Sequence, residues 1–477
     1  MLMKNRTRNL ILIIVGIQFV VILGLLALPS VVQAIPGRYR VALQERSPFL
    51  GKISEGVIAQ VAPVATALPA PVSNNSDTQV DLSALVASKP TPSPTATVEV
   101  IATAVPTEAP ADAPTPEPTP PPPAPPPPPP PPLPPTATPA PTMTPTPEPL
   151  PVSKILPDMK VVRQTFNNCG PANLTQVLNW WGNPVTQEEV ASYLKPNSED
   201  RNVSAWQIAD YVNEQTPGYN AIARSGGSLE MIKKFIVAGY PVVIEKGYEL
   251  PESGWWGHYL TVYGYDDTKQ ELYSQDSYLG PWDSSGRTDS YDDVNKYWQQ
   301  FNYTFYVVYT PDKADEVAAI LGEEMFDDLK MWQYVATLAE SETKANPDDA
   351  MAWFNMGTAL TRIAGLTGDQ TYYQGGAQAY DKAREIGLPP RMLWYQFQPY
   401  LAYWKVGRYQ DVLDLANATL ETQGGRNVEE TYWYMGHVLL EMGRVTEARQ
   451  AYESALAVNE NFYPAQISID YIDSLGG

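Results

Sequence analysis

Hydrophobic and polar positions change rhythm four times along the chain. Residues 10–28, LILIIVGIQFVVILGLLAL, are apolar apart from Gln18 and the glycines, and Lys4, Arg6 and Arg8 stand in the basic segment 1–9 before them. A run of this length predicts a transmembrane or signal-anchor helix. Val32-Gln33-Ala34 offers a cleavage site, so the expectation is a single-pass membrane protein, secreted if that site is used. Residues 29–151 show no helical or strand period and predict a disordered linker. From residue 152 the periods return. Leu174, Val177, Leu178 and Trp181 follow the spacing of an amphipathic helix, with Pro171 in its first turn and Gly182 and Pro184 ending it. Gly257 to Tyr265 alternates as a strand, Asp266 to Lys269 forms a turn, and Glu271 to Asp276 returns as the second strand of a hairpin. Strand and helix patterns mix over 152–311, whereas 312–477 is helical throughout, so two folded units are expected.

The second unit repeats. Tyr432, Met435, Gly436, Leu439, Gly443, Ala448, Tyr452 and Ala455 stand at tetratricopeptide spacing, and Tyr403, Gly407, Arg408 and Tyr409 form an earlier copy. Trp353, Met356, Gly357, Leu360, Tyr380 and Ala383 form a third, with about seven residues inserted near Thr367. This region resembles tetratricopeptide repeats, which implies stacked helix pairs that hold a peptide or protein partner. Gly436, Ala448 and Ala455 are expected where helices cross closely, and His437 reads as an ordinary helix residue.

Composition narrows the function. Among 477 residues there are 48 prolines, one cysteine, two histidines and a net charge of −21. One cysteine forms no internal disulfide, and three Cys and His residues in all make no zinc finger. The acidic excess argues against a nucleic-acid partner, because such binding draws on Lys and Arg. More than half of the prolines lie between Pro90 and Pro151, where no aromatic residue occurs. That stretch predicts a polyproline II stalk reaching at most about 190 Å at ~3.1 Å per residue. Such spacers suit a cell surface, although Arg38, Arg40 and Arg46 balance the charges before the apolar run and leave its orientation undecided. The expected location of the folded units is extracytoplasmic.

Chemistry concentrates at Cys169. Placed at the start of the 171–181 helix, its thiol faces unpaired N–H groups and the positive end of the macrodipole, both of which favour a thiolate. A nucleophilic thiolate needs a base, and His258 at the head of the hairpin is the candidate. Centring the hairpin near Asp267 puts Asp276 opposite His258 within one residue, where its carboxylate would orient the imidazole. Spacing alone thus suggests a Cys-His-Asp arrangement.

Gln164 with Cys169-Gly-Pro-Ala, Gly239-x-Pro-Val-Val243, Gly257-His258-Tyr259, Gly264-Tyr265-Asp266 and Asp276 together resemble the peptidase C-39-like domain of papain-type cysteine peptidases, over roughly Leu156 to Pro311. The resemblance implies Cys169 as nucleophile, His258 as general base and acid, Asp276 as the orienting residue and Gln164 as a donor to the oxyanion. Asn168 stands where that family often has Asp, and Ser277 where it often has Pro. No Walker-type loop is present, so the exporter-linked role of the family's founding members does not carry over.

The expected fold is an α+β papain-like cysteine peptidase domain plus an all-α tetratricopeptide domain, preceded by a transmembrane helix and a Pro-rich stalk. The expected function is cleavage of a peptide or protein by a membrane-anchored peptidase without metal or cofactor. Cell-wall peptide amidase activity and a non-catalytic binding scaffold are the rival readings. Trp255 and Trp256 could wall the substrate site or simply pack, and Asp266 and Asp267 read as turn formers. Asp283, Asp289, Asp292 and Asp293 read as a solvated loop, without the spacing of a calcium-binding hand.

Overall fold

The computed structural model describes residues 67–72, 79–90, 149–250, 254–422 and 424–475. Within them, the first element is helix α1 (Leu82–Ala87), capped by the Asp81 side chain on the Ala84 N–H. Strand β1 (Ser153–Ile155) leads into three helices, α2 (Cys169–Trp180), α3 (Gln187–Leu194) and α4 (Ala205–Gln215). Thr186 and Ser204 open the last two with capping boxes, each hydroxyl accepting the third residue's N–H while that residue's side chain reaches back. There follow β2 (Asn220–Arg224), α5 (Leu229–Ala238), β3 (Val242–Leu250), β4 (Gly254–Asp266), β5 (Glu271–Gln275), β6 (Arg287–Ser290), α6 (Tyr291–Gln299) and β7 (Phe305–Tyr309).

The strands form one antiparallel sheet in the order β2-β7-β3-β4-β5-β6, and β1 pairs with the far end of β4. Helices cover both faces. Val243, Tyr259, Tyr306 and Val308 meet α2, α3 and α4 on one side, while Val242, Ile244, Leu260 and Val307 meet α5 and α6 on the other. This is why β4, which alternates in sequence, is buried along almost its whole length: its polar-looking face is covered too.

The hairpin departs from expectation. Asp266 pairs with Glu271, so the turn is centred later than Asp267; a bulge at Tyr263 then takes one residue back, Thr261 pairs with Gln275, and the register continued beyond β5 would set Asp276 across from Leu260, not His258. The slip is two residues, and an even slip leaves every side chain on its own face.

Beyond Tyr309 the chain is helical: α7 (Ala314–Phe326), α8 (Asp328–Ala345), α9 (Ala350–Thr367), α10 (Gln370–Ile386), α11 (Gln398–Lys405), α12 (Tyr409–Glu421), α13 (Glu429–Glu441), α14 (Val445–Val458) and α15 (Tyr463–Leu475). A Cβ at Gly357 would stand 2.7 Å from the Tyr380 ring, and one at Gly436 would stand 2.4 Å from the Tyr452 ring. Each tyrosine fills the space its glycine leaves, and Ala448 and Ala455 are fully buried beside the second pair. The helices do not form a separate body: Val317, Leu321, Met331, Trp332 and Met356 share one core with the sheet.

Part of the expected linker packs against these helices. Arg384 donates to the Pro69 and Ala70 carbonyls, and Leu68 bonds the Leu388 carbonyl through its N–H. Val80 exchanges two hydrogen bonds with the Gln378 amide, and Leu82 and Leu85 lie over Gly375. Residues 67–72 and 79–90 are therefore a strap on α10, contrary to the linker expectation, because Arg384 and Gln378 supply the partners their backbone needs. The predicted apolar helix at 10–28 and the Pro-rich stretch lie outside the described residues. Among the described residues no helix is long and apolar enough to cross a membrane.

Candidate active site

Helix α2 carries no charged residue, and this decides its placement. Besides Leu174, Val177 and Leu178, its polar residues Asn173, Thr175 and Gln176 are also buried, so the helix is enclosed on all sides. Gly170 permits the close fit, since a Cβ there would lie 2.5 Å from Val203 Cγ1. Cys169 is the first helical residue, and Asn168 before it makes no side-chain cap, turning its amide to the Thr165 hydroxyl instead. The N–H groups at the helix start are left without that capping oxygen.

Asn173 ties the helix to the sheet. Its Nδ2 lies 2.9 Å from the Cys169 carbonyl, 3.0 Å from the Tyr259 carbonyl and 3.2 Å from Ser277 Oγ, while its Oδ1 accepts from Thr261 and Gln176. Cys169, the residue after His258 and the residue after Asp276 are thereby held by one side chain.

The structure brings Cys169, His258 and Asp276 together. His258 Nε2 lies 3.0 Å from Asp276 Oδ1, and the ring also hydrogen-bonds the Cys169 thiol, for which Nδ1 is the nitrogen left. Asp276 reaches His258 diagonally from just past β5. Its Oδ1 also accepts the Tyr278 and Leu279 N–H groups at 2.8 Å each, and Oδ2 faces Arg287 at 3.4 Å. The three side chains are only 7, 4 and 2% exposed, so their charges act with little screening by water.

Electrostatics follow from these contacts. Burial opposes ionisation of Cys169, but the hydrogen bond and charge of His258, with the charge of Lys195 and the Tyr259 backbone, hold the thiol below its ordinary value. Burial likewise pulls His258 down, yet Asp276 and the thiol push it up to about 9. Asp276, despite burial, is lowered to about 2 by the imidazolium and the two N–H groups. The arrangement favours a thiolate beside an imidazolium.

Gln164 sits at the same place. Its N–H donates to the Ser277 carbonyl, and its Oε1 accepts from the Ser277 hydroxyl at 2.9 Å, which leaves Nε2 as the donor end of the amide. Ser277 thus orients Gln164, although it stands where proline is common in the resembled family. Trp255 stacks on Phe301 and meets Tyr395 edge-on, while Trp256 lies under the Arg391 guanidinium at 4.0 Å; both pack between the sheet and the helices. Asp266 accepts turn N–H groups and Asp267 pairs with Lys233, as turn residues do. Asp289 pairs with Arg287 at 3.0 Å. Among the described residues no group of three or more His, Cys, Asp or Glu could hold a metal ion.

Asn173, Lys195 and Arg287 were not singled out by sequence reasoning, and Ser277 was noted only as a departure from the family pattern, without its contact to Gln164. For Asn173 a signal exists, since an uncharged helix holding amides one turn apart at 173 and 176 must satisfy them inside the protein. The other three are recruited from loops and a distant strand.

Over residues 156–306 the chain matches the Peptidase_C39 like family. A solved structure from Bacillus anthracis described as a C39-like peptidase is similar at 17% identity and a TM-score of 0.27, covering 33% of this chain and 98% of that one. No curated protein matches the chain. The matched span opens just after β1 and ends in β7, so it takes in nearly the whole sheet. The chain carries an α+β, C39-like peptidase domain followed by a helical region.

Proposed function

We propose that this protein is a thiol peptidase in which Cys169 is the nucleophile, His258 the general base and acid, Asp276 the orienting carboxylate and Gln164 an oxyanion donor. The observation that carries the reading is the imidazole, fixed by Asp276 on one nitrogen and in contact with a thiol at a helix N-terminus on its other side. His258 takes the thiol proton, and the sulfur attacks a peptide carbonyl. The oxyanion accepts from the Cys169 N–H and Gln164 Nε2. The imidazolium returns its proton to the leaving amine as the C–N bond breaks, giving a thioester. Water, losing a proton to His258, then releases the acid and restores the thiol.

The same reading places the enzyme outside the membrane, held by residues 10–28, with the helical region acting as a tetratricopeptide-type surface for a protein partner. The apolar run at 10–28 and the Pro-rich segment after it support the placement, and the glycine–tyrosine pairs across the helices support the repeat reading.

Cleavage of a peptide library by the full chain tests the chemistry. Hydrolysis should fall about a thousandfold or more in Cys169→Ser, as removal of a nucleophile does elsewhere. Equal cleavage by both forms, or none by the wild type, removes the proposal; partner capture unchanged in Cys169→Ser without any hydrolysis would leave the scaffold reading in its place.

A further inference from the structure

Between the sheet and the helices lies a cavity of about 670 Å³, well within the range of sites that enclose small ligands. Trp206 at the start of α4, Glu245 on β3, Trp332 on α8, Arg362 on α9, Gln398 at the start of α11 and Glu430 on α13 all line it. It lies close to the nucleophile, because the Cys169 charge is felt at both Glu245 and Tyr395, two residues of its wall.

Arg362 is its unusual feature. The guanidinium rests against Trp206 and Trp332, 5.4 and 5.6 Å from their ring centres, and those two rings stack at 6.1 Å. Among the described residues it has no ion pair, and its buried Nε has no hydrogen-bond partner. The guanidinium is half-buried and has no carboxylate in hydrogen-bond contact, so a ligand carboxylate entering the cavity can pair with it. Gln398 Oε1, a second lining atom, is also buried without a donor.

The acids in the wall do not oppose an anion at neutral pH. Burial pushes both Glu245 and Glu430 up to about 8, with nearby Asp200 adding to the effect at Glu430, and Asp328 is paired with Arg224 at 3.2 Å. The cavity therefore presents a fixed cation, an amide acceptor and aromatic walls.

We propose that this cavity binds the C-terminal end of a short peptide, with Arg362 taking the terminal carboxylate and Gln398 Oε1 accepting a backbone N–H. A planar guanidinium pairs with a carboxylate through two parallel hydrogen bonds, which the neighbouring indoles hold ready by fixing its plane. The claim concerns binding and stands whether or not Cys169 hydrolyses the peptide.

Binding to the full-length Cys169→Ser chain tests it, using a mixed-sequence tetrapeptide pool with free carboxylates against the same pool amidated at the C-terminus. The free-carboxylate pool should bind at least ~10-fold more tightly, the scale of one charge-assisted contact. That ratio should fall to near one in Arg362→Gln and persist in part in Arg362→Lys. No binding of either pool, equal binding of both, or a preference surviving in Arg362→Gln overturns the proposal. Succinate binding as tightly as the peptide pool overturns the peptide assignment. If Arg362→Gln does not fold, protection of Arg362 from phenylglyoxal by the carboxylate pool decides instead, and absence of protection counts against the site.

Discussion

Cys169 is buried, and burial alone would make its thiol harder to ionise; His258 reverses that balance. Removing the imidazole leaves burial opposed only by weaker influences such as Lys195, so in His258→Ala the midpoint of iodoacetamide alkylation against pH should move upward. An unchanged midpoint would show that the ring does not hold the thiolate. The pH dependence of stability has a definite sign for each group. The depressed thiol makes the unfolded chain the more protonated state as pH approaches 9.0, whereas the raised imidazole makes the folded chain the more protonated one from 6.5 to about 9. These two slopes oppose each other. Of these three groups only Asp276 titrates on the acid side: its contribution is present above 3.8 and is lost as pH falls toward about 2. Cys169 and His258 were legible as candidates because Cys and His are so rare in this chain that each stands out. Asn173, Ser277 and Lys195 were not, since Asn, Ser and Lys are common and acquire their roles only from what lies across from them.

The α2 helix, the hairpin and the helical region were read correctly in kind and less well in relation, whereas the helix at Leu82–Ala87 lies in a stretch read as linker. The spacing of Leu174, Val177 and Leu178 identifies α2, but nothing in that spacing says that the polar face meets Thr261 instead of water. In the hairpin the turn is centred later than Asp267 and the bulge at Tyr263 takes one residue back, a net slip of two for Asp276, and the contact with His258 survived because that net slip was even. In the helical region, glycine and tyrosine form matched pairs across helices, Gly357 with Tyr380 and Gly436 with Tyr452. The fit is tight enough that one methyl group should be felt. Gly436→Ala places a Cβ 2.4 Å from the Tyr452 ring and should lower stability by about 1–3 kcal/mol, read from chemical denaturation. A loss below ~0.5 kcal/mol would mean that the helices separate easily at that crossing.

At the scale of the whole molecule, the strap changes what the Pro-rich stretch can do. Residues 79–90 precede it and β1 follows it, and both lie on the same folded body. A segment whose two ends sit on one body cannot add its length to the distance between that body and the anchor proposed at residues 10–28. Only residues 29–66 can do so, at most about 130 Å when fully extended. Gln378→Ala removes both of the bonds to Val80, worth roughly 1–3 kcal/mol together, and should make residues 67–90 more sensitive to limited proteolysis while the rest of the body resists. Unchanged cleavage would show that Arg384 and the apolar contacts of α1 hold the strap without it. The sequence by itself determined the kind of the α2 helix, the β4–β5 hairpin and the helical region, and it singled out Cys169 and His258, because periodicity and residue rarity are local properties carried by each short stretch. Tertiary structure alone decided that the strap lies on α10, that sheet and helices share a core, and that Arg362 lines a cavity between them. Those outcomes depend on which surfaces meet, and residues hundreds of positions apart leave no local mark of their meeting.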